Sequence, residues 1–236
     1  DQGVLFLKFA CLRVILLFGF STSSPAQAQT TPTPQELFFA ETGHTIKGEF
    51  LVFFLQARDP MLVYGYPITD AFIDPVYGRI VQYFEKARFE LYPDETPELR
   101  VRLTPLGKWL YVPGQVRILP KNAAGCRTFT ETEGNYQVCL SFLEFFNTHG
   151  GLRQFGYPIS NVETHGDLFV QYFQKARFEW RPERPAGQFV VVSDLGSIYF
   201  AQQALHKDFL RQSNNLPQTI LRLKVRAFHK RAAPGL

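Results

Sequence analysis

Gln82-Tyr83-Phe84-Glu85-Lys86-Ala87-Arg88-Phe89-Glu90 recurs as Gln171-Tyr172-Phe173-Gln174-Lys175-Ala176-Arg177-Phe178-Glu179, with eight of nine residues identical at a separation of 89. Self-similarity at a fixed period is the mark of a repeat architecture, so this stretch predicts two copies of one unit. Working outward, Tyr64-Gly65-Tyr66-Pro67-Ile68-Thr69 answers to Phe155-Gly156-Tyr157-Pro158-Ile159-Ser160. Phe50-Leu51-Val52-Phe53-Phe54 answers to Phe142-Leu143-Glu144-Phe145-Phe146, Glu41-Thr42 to Glu131-Thr132, and Leu106-Gly107 to Leu195-Gly196. The units are expected at 37–113 and 126–200, with 114–125 as the linker.

Within a unit, Thr45 is read as the cap of a helix carrying Ile46, Phe50, Phe53 and Phe54 on one stripe, repeated by Val138, Phe142, Phe145 and Phe146. Turns follow at Asp59-Pro60 and Gly150-Gly151. Hairpins are predicted over 80–92 and 169–180, because β-rich runs flank Glu85-Lys86-Ala87 and its counterpart. A further strand, 99–103 or 189–192, leads to a helix start capped by Thr104 or Ser193. The expected class is α+β: two tandem small units, each a short amphipathic helix plus a short antiparallel sheet with a hairpin.

The ends of the chain read differently. Lys8 and Arg13 flank a seven-residue apolar run at 14–20, followed by Ala26-Gln27-Ala28, which predicts a signal peptide over 1–28. A membrane span needs about 20 apolar residues, so no integral span is expected once the signal is cleaved. The chain opens on Asp1 rather than Met, read as a shortened start. Residues 29–36 form a Pro/Thr spacer. The tail, 201–236, alternates Leu221, Leu223, Val225 and Ala227 with Arg222, Lys224 and Arg226. It reads either as the start of a truncated β domain or as a basic arm touching anionic polymer.

Charge argues against nucleic acid as a partner. Residues 29–205 carry 16 Lys+Arg against 19 Asp+Glu, and the net charge of +4 comes from the last 31 residues. The folded body is mildly acidic, which argues against a general phosphate-binding surface.

No residue pattern names a reaction or a cofactor. Cys126 and Cys139 in an exported chain are expected to form a disulfide, the alternative being a nucleophilic cysteine with His149 as base. Cys11 lies in the signal segment. The five histidines, His44, His149, His165, His206 and His229, lack metal-ligand spacing, so no metal is expected. Glu90 and Glu179 are read as cross-strand contacts of Lys86 or Arg88 and their counterparts, against a glycosidase acid pair. Phe84, Phe89, Phe173 and Phe178 are read as core. Tyr66, Tyr157, Tyr83, Tyr172, Tyr92 and Trp180 are either core or flat faces for a sugar ring, and are the candidate ligand-binding residues.

The succession Gly-Tyr-Pro-Ile-Ser, Val-Gln-Tyr-Phe and Arg-Phe-Glu-Trp-Arg-Pro, with Gly-Gly before the next Gly-Tyr-Pro, resembles the LGFP repeat of bacterial cell-envelope proteins. The resemblance covers about 38–200, with Lys86-Ala87 and Lys175-Ala176 standing where LGFP repeats usually carry a glycine-rich turn. It implies a secreted, envelope-associated role in binding the cell wall, and no catalytic residue. The expected function is therefore a non-catalytic exported module whose partner is peptidoglycan or wall polysaccharide. The alternatives are a structural spacer presenting a downstream domain, or a wall-active hydrolase.

Overall fold

The computed structural model describes residues 35–117, 124–130 and 134–203. The signal peptide, most of the spacer, Cys11, Glu131-Thr132, His206, His229 and the alternating tail lie outside the described residues. The fold is α+β, with small antiparallel sheets and short helices.

The first half opens with a hairpin, β1 (Glu36–Phe39) against β2 (His44–Lys47), in register Glu36↔Lys47 to Phe39↔His44. Helix α1 (Gly48–Leu55) follows, then α2 (Pro60–Val63), which starts where Asp59 accepts from the Leu62 amide at 3.0 Å. A four-stranded sheet comes next: β3 (Phe72–Ile73), β4 (Ile80–Tyr83), β5 (Arg88–Leu91) and, after a 3-10 turn at Pro97–Leu99, β6 (Val101–Leu103). Helix α3 (Leu106–Trp109) ends the half, and β7 (Gln115–Val116) leaves it.

The second half runs through the same order. It has β8 (Cys126–Phe129), β9 (Tyr136–Cys139), α4 (Leu140–Thr148), α5 (Gly151–Phe155), β10 (Glu163–His165), β11 (Leu168–Tyr172), β12 (Arg177–Trp180), β13 (Val190–Val192) and α6 (Leu195–Gln202). Its sheet is ordered β13-β12-β11-β10-β7, so β7, in the stretch read as a linker, supplies an edge strand. Gln82↔Phe89 in one hairpin corresponds to Gln171↔Phe178 in the other. At the outer end of the first small hairpin Glu36 pairs with Lys47 through an exposed 2.8 Å ion pair; the second has the Cys126–Cys139 disulfide there. The exposed pair is worth about 0–1 kcal/mol, the disulfide about 3.

Why the Gly-Tyr-Pro step needs glycine is visible in both halves. Gly65 and Gly156 hold φ of 73° and 74°, in the left-handed region that side chains avoid. A Cβ on either would run into Glu85 or Gln174. Those side chains are held close because Glu85 accepts from the Tyr66 amide and Gln174 from the Tyr157 amide, each at 3.1 Å.

One continuous aromatic core serves both halves. Phe50 and Phe54 of α1 pack on Phe89 and Phe84, as Phe142 and Phe146 of α4 pack on Phe178 and Phe173. The four Phe read as core are all buried. The Tyr64 hydroxyl donates to Gln154 at 2.8 Å, tying the halves together within that core.

The halves also exchange helices. The Lys108 amide of α3 donates to Gln174 O at 3.0 Å, and the Ser197 amide of α6 donates to Glu85 O at 2.9 Å. Each helix therefore seats on the hairpin turn of the other half. Gly107 and Gly196 stand at the contact, where a Cβ would overlap the carbonyl oxygens of Phe173 and Phe84.

Several expected details differ. Thr45, Ile46 and Val138 belong to strands β2 and β9, not to helices; both helices start after these hairpins, at Gly48 and Leu140. Ile46 and Val138 still point into the core. The turns at Asp59-Pro60 and Gly150-Gly151 open short helices. Leu99 lies in the 3-10 turn and Phe189 precedes its strand. Thr104 and Ser193 do not cap helices, since their hydroxyls donate to Glu90 and Glu179 at 2.6 Å.

Candidate functional site

The site arises where the two halves differ. After Trp109 the chain reads Leu110-Tyr111-Val112-Pro113-Gly114. Proline lacks an amide donor and disfavours helix in the residue before it, so α3 stops after four residues and the chain turns into β7. Helix α6 meets no such break and runs for eight. Its extra turn lays Tyr199 and Phe200 on Tyr83, with ring centroids 6.3 and 5.0 Å away, and closes that face of the first sheet. On the second sheet no helix among the described residues covers Tyr172, which meets the Tyr111 ring edge-on at 4.9 Å and the His165 ring at 6.0 Å.

A cleft of about 430 Å³ is left beside it. Its walls are Trp109, Leu110, Tyr111 and Val112 on one side and Leu195, Ile198 and Gln202 of α6 on the other. His165, Tyr172 and Arg177 complete the lining. The volume falls in the range of about 300–1,000 Å³ usual for small-molecule sites. Trp109 is 46% exposed and Ile198 41%, which makes an apolar rim over a polar floor.

The floor is tightly hydrogen-bonded. The Tyr111 hydroxyl donates to Glu163 at 2.6 Å, the Gly114 amide donates to its other oxygen at 3.0 Å, and His165 Nε2 lies 3.4 Å from that oxygen. Burial, then the hydrogen bond and charge of Glu163, push the Tyr111 phenol above its ordinary value, so it remains a donor. Arg177 donates to Ser193 at 2.7 Å, to the Tyr172 hydroxyl at 3.2 Å and to Glu179 at 2.7 Å.

The two repeated glutamates are bound by arginines. Glu90 receives Arg79 at 3.0 Å, Tyr92 at 2.9 Å, Thr104 and the buried Arg88, which also pairs with Asp74. Of the two partners expected for Glu90, Arg88 pairs with it, while Lys86 pairs with Asp194 at 2.6 Å. Glu179 receives Ser193, Arg177 and Arg181. Burial alone would raise the Glu179 carboxyl, but hydrogen bonds from Ser193, Arg177 and Arg181 outweigh it and hold the group below its ordinary value.

A group depressed on folding contributes stability that is present above its unfolded value and lost below it. The thermal midpoint is therefore expected to fall as pH drops below about 4.5, the ordinary value for Glu179. Glu179→Gln should flatten that part of the profile, as read by circular dichroism melts from pH 3 to 7. An unchanged slope in the variant would contradict the assignment.

The six candidate aromatics are not brought together. Tyr83 and Tyr172 are 0% and 1% exposed, so neither offers a face for a ring to stack on, although Tyr172 is among the residues that line the cleft. They are buried because alternate residues of β4 and β11 face α6 and Tyr111. Tyr92 lies between the guanidiniums of Arg79 and Arg102, at 4.1 and 4.4 Å, which occupy its ring. Tyr66 and Tyr157 are half-buried against Phe39 and Phe129, and Trp180 against Phe189. The cleft residues Trp109, Tyr111 and Ile198 are absent from the sequence reading. Their signal was available in Trp109, one of two tryptophans, standing just before the helix-breaking Pro113-Gly114.

His149 stacks on Phe145 at 4.1 Å and its Nδ1 lies 3.0 Å from Phe145 O, while Cys126 is disulfide-bonded. Among the described residues no group of three or more His, Cys, Asp or Glu could hold a metal ion. Among them, too, no helix is long and apolar enough to cross a membrane. No family model matches the chain, and no curated protein is detectably similar to it.

Proposed function

We propose that the protein is an exported, envelope-associated module of two tandem LGFP-like units that binds peptidoglycan or wall polysaccharide without cleaving it. The observation that carries this reading is the cleft: an exposed indole and an apolar rim stand over a hydrogen-bonding floor, the combination a pyranose ring uses. The occupation of Glu90 and Glu179 by arginines supports a structural role for both carboxylates, since each is committed to a cation on its own strand. The shared core supports a single binding body rather than two independent ones.

The test is co-sedimentation of the full chain with purified insoluble peptidoglycan, with the supernatant assayed for sugars and peptides. Retention with no release is expected, and Trp109→Ala should reduce retention at least about fivefold, the cost of roughly 1 kcal/mol of lost ring contact. Absence of retention would favour the spacer reading, and release of soluble fragments would make the protein a hydrolase.

A further inference from the structure

The register of the two sheets equates positions that the sequence alone does not align. Phe72 pairs with Val81 as Glu163 pairs with Val170, so Asp74, two residues on, corresponds to His165. In the first half Asp74 is the acid that holds Arg88. In the second half Arg177 stands in the place of Arg88, and the residue in the place of Asp74 is an imidazole that lines the cleft.

The consequence is an arginine paired with one acid, Glu179, where Arg88 is paired with two. A guanidinium carries five N–H groups. Arg177 spends one each on Ser193, Tyr172 and Glu179, which leaves one N–H on each terminal nitrogen with no partner among the described residues. Its side chain is 21% exposed, against 1% for Arg88. Glu163, the nearest acid on β10, is buried, engaged by Tyr111, Gly114 and His165, and does not line the cleft.

We propose that the cleft takes an acidic saccharide, whose carboxylate occupies beside Arg177 the place that Asp74 fills beside Arg88 while its ring lies against Trp109. This rests on the reading of the cleft as a saccharide site and adds the charge of the ligand. Arginine suits the task because its planar fork matches a carboxylate, and charge-assisted hydrogen bonds are the stronger kind. His165, in the position that would otherwise supply the internal acid, leaves the guanidinium open to one from outside.

Matched pairs of sugars test it by calorimetric or NMR titration of the full chain. N-acetylmuramic acid differs from N-acetylglucosamine by a lactyl carboxylate, and galacturonic acid from galactose by oxidation at C6. The acidic member of each pair is expected to bind about tenfold tighter or more, the least that one charge-assisted hydrogen bond supplies. Arg177→Met should abolish the preference. His165→Asp, which supplies the internal acid and leaves Arg177 in place, should also abolish it, and decides the matter if Arg177→Met fails to fold. Trp109→Ala should weaken both members alike.

Equal binding of both members would overturn the inference and leave the cleft reading standing; binding of neither would overturn both. A preference that survives His165→Asp would overturn the inference. So would capture of D-alanyl-D-alanine, but not its amide, in the absence of acidic-sugar binding, since the carboxylate would then be a peptide's.

Discussion

Arg88→Met is expected to destabilise the protein by about 3–5 kcal/mol in urea denaturation at pH 7, the usual cost of removing one partner from a buried ion cluster. Arg88 is 1% exposed and pairs with both Asp74 and Glu90, so its loss leaves two carboxylates facing each other away from water. Their remaining partners, the Val76 and Tyr77 amides on Asp74 and Arg79, Tyr92 and Thr104 on Glu90, soften the effect without cancelling it. Arg177→Met should cost less, about 1–2 kcal/mol. Glu179 keeps Arg181 and Ser193, and Arg177 has no second acid to strand. Equal losses for the two variants would contradict the asymmetry between the two arginines on which the acidic-saccharide proposal rests.

Gly107→Ala and Gly196→Ala should each cost about 3 kcal/mol, the upper part of the range for overpacking. For a chain of this length that is roughly a 6–12 °C drop in thermal midpoint. The added Cβ would overlap a backbone carbonyl oxygen, of Phe173 or Phe84, and a hairpin turn cannot yield as a side-chain tip does. Gly166→Ala is the control: it has open space and a φ of 60°, so only the left-handed backbone resists, at about 1–2 kcal/mol. If Gly107→Ala melted like Gly166→Ala, the two helices would not seat on the opposite hairpins as described.

How much of this the sequence shows depends on distance along the chain. The hairpins were legible because both strands and the turn lie within one repeated nine-residue stretch. The helix stripes were legible from Phe50 to Phe54 and from Phe142 to Phe146, but their starts were not. Ile46 and Val138 fit the helical spacing and are buried in the same core, though they reach it from strands. Periodicity cannot separate those cases when a strand runs directly into a helix.

Polar side chains were harder to place. Thr104 and Ser193 look like helix caps because capping residues are short hydroxyls next to a helix start, yet each serves a glutamate on the neighbouring strand. The cleft was not legible at all, because it follows from α3 ending a turn before α6 would, and from Trp109 lying against the opposite half. Of the two alternatives open for the repeated tyrosines, core holds for Tyr83 and Tyr172, each of which lies beneath a covering ring.

The binding cleft is tested most directly by the fluorescence of Trp109. The chain has two tryptophans, so Trp180→Phe leaves Trp109 as the sole tryptophan reporter in this chain. Titration with soluble peptidoglycan fragments should then give a saturable change in its emission, with the same midpoint as direct binding measured by calorimetry. Binding without any change at Trp109 would place the ligand elsewhere on the protein and contradict the account.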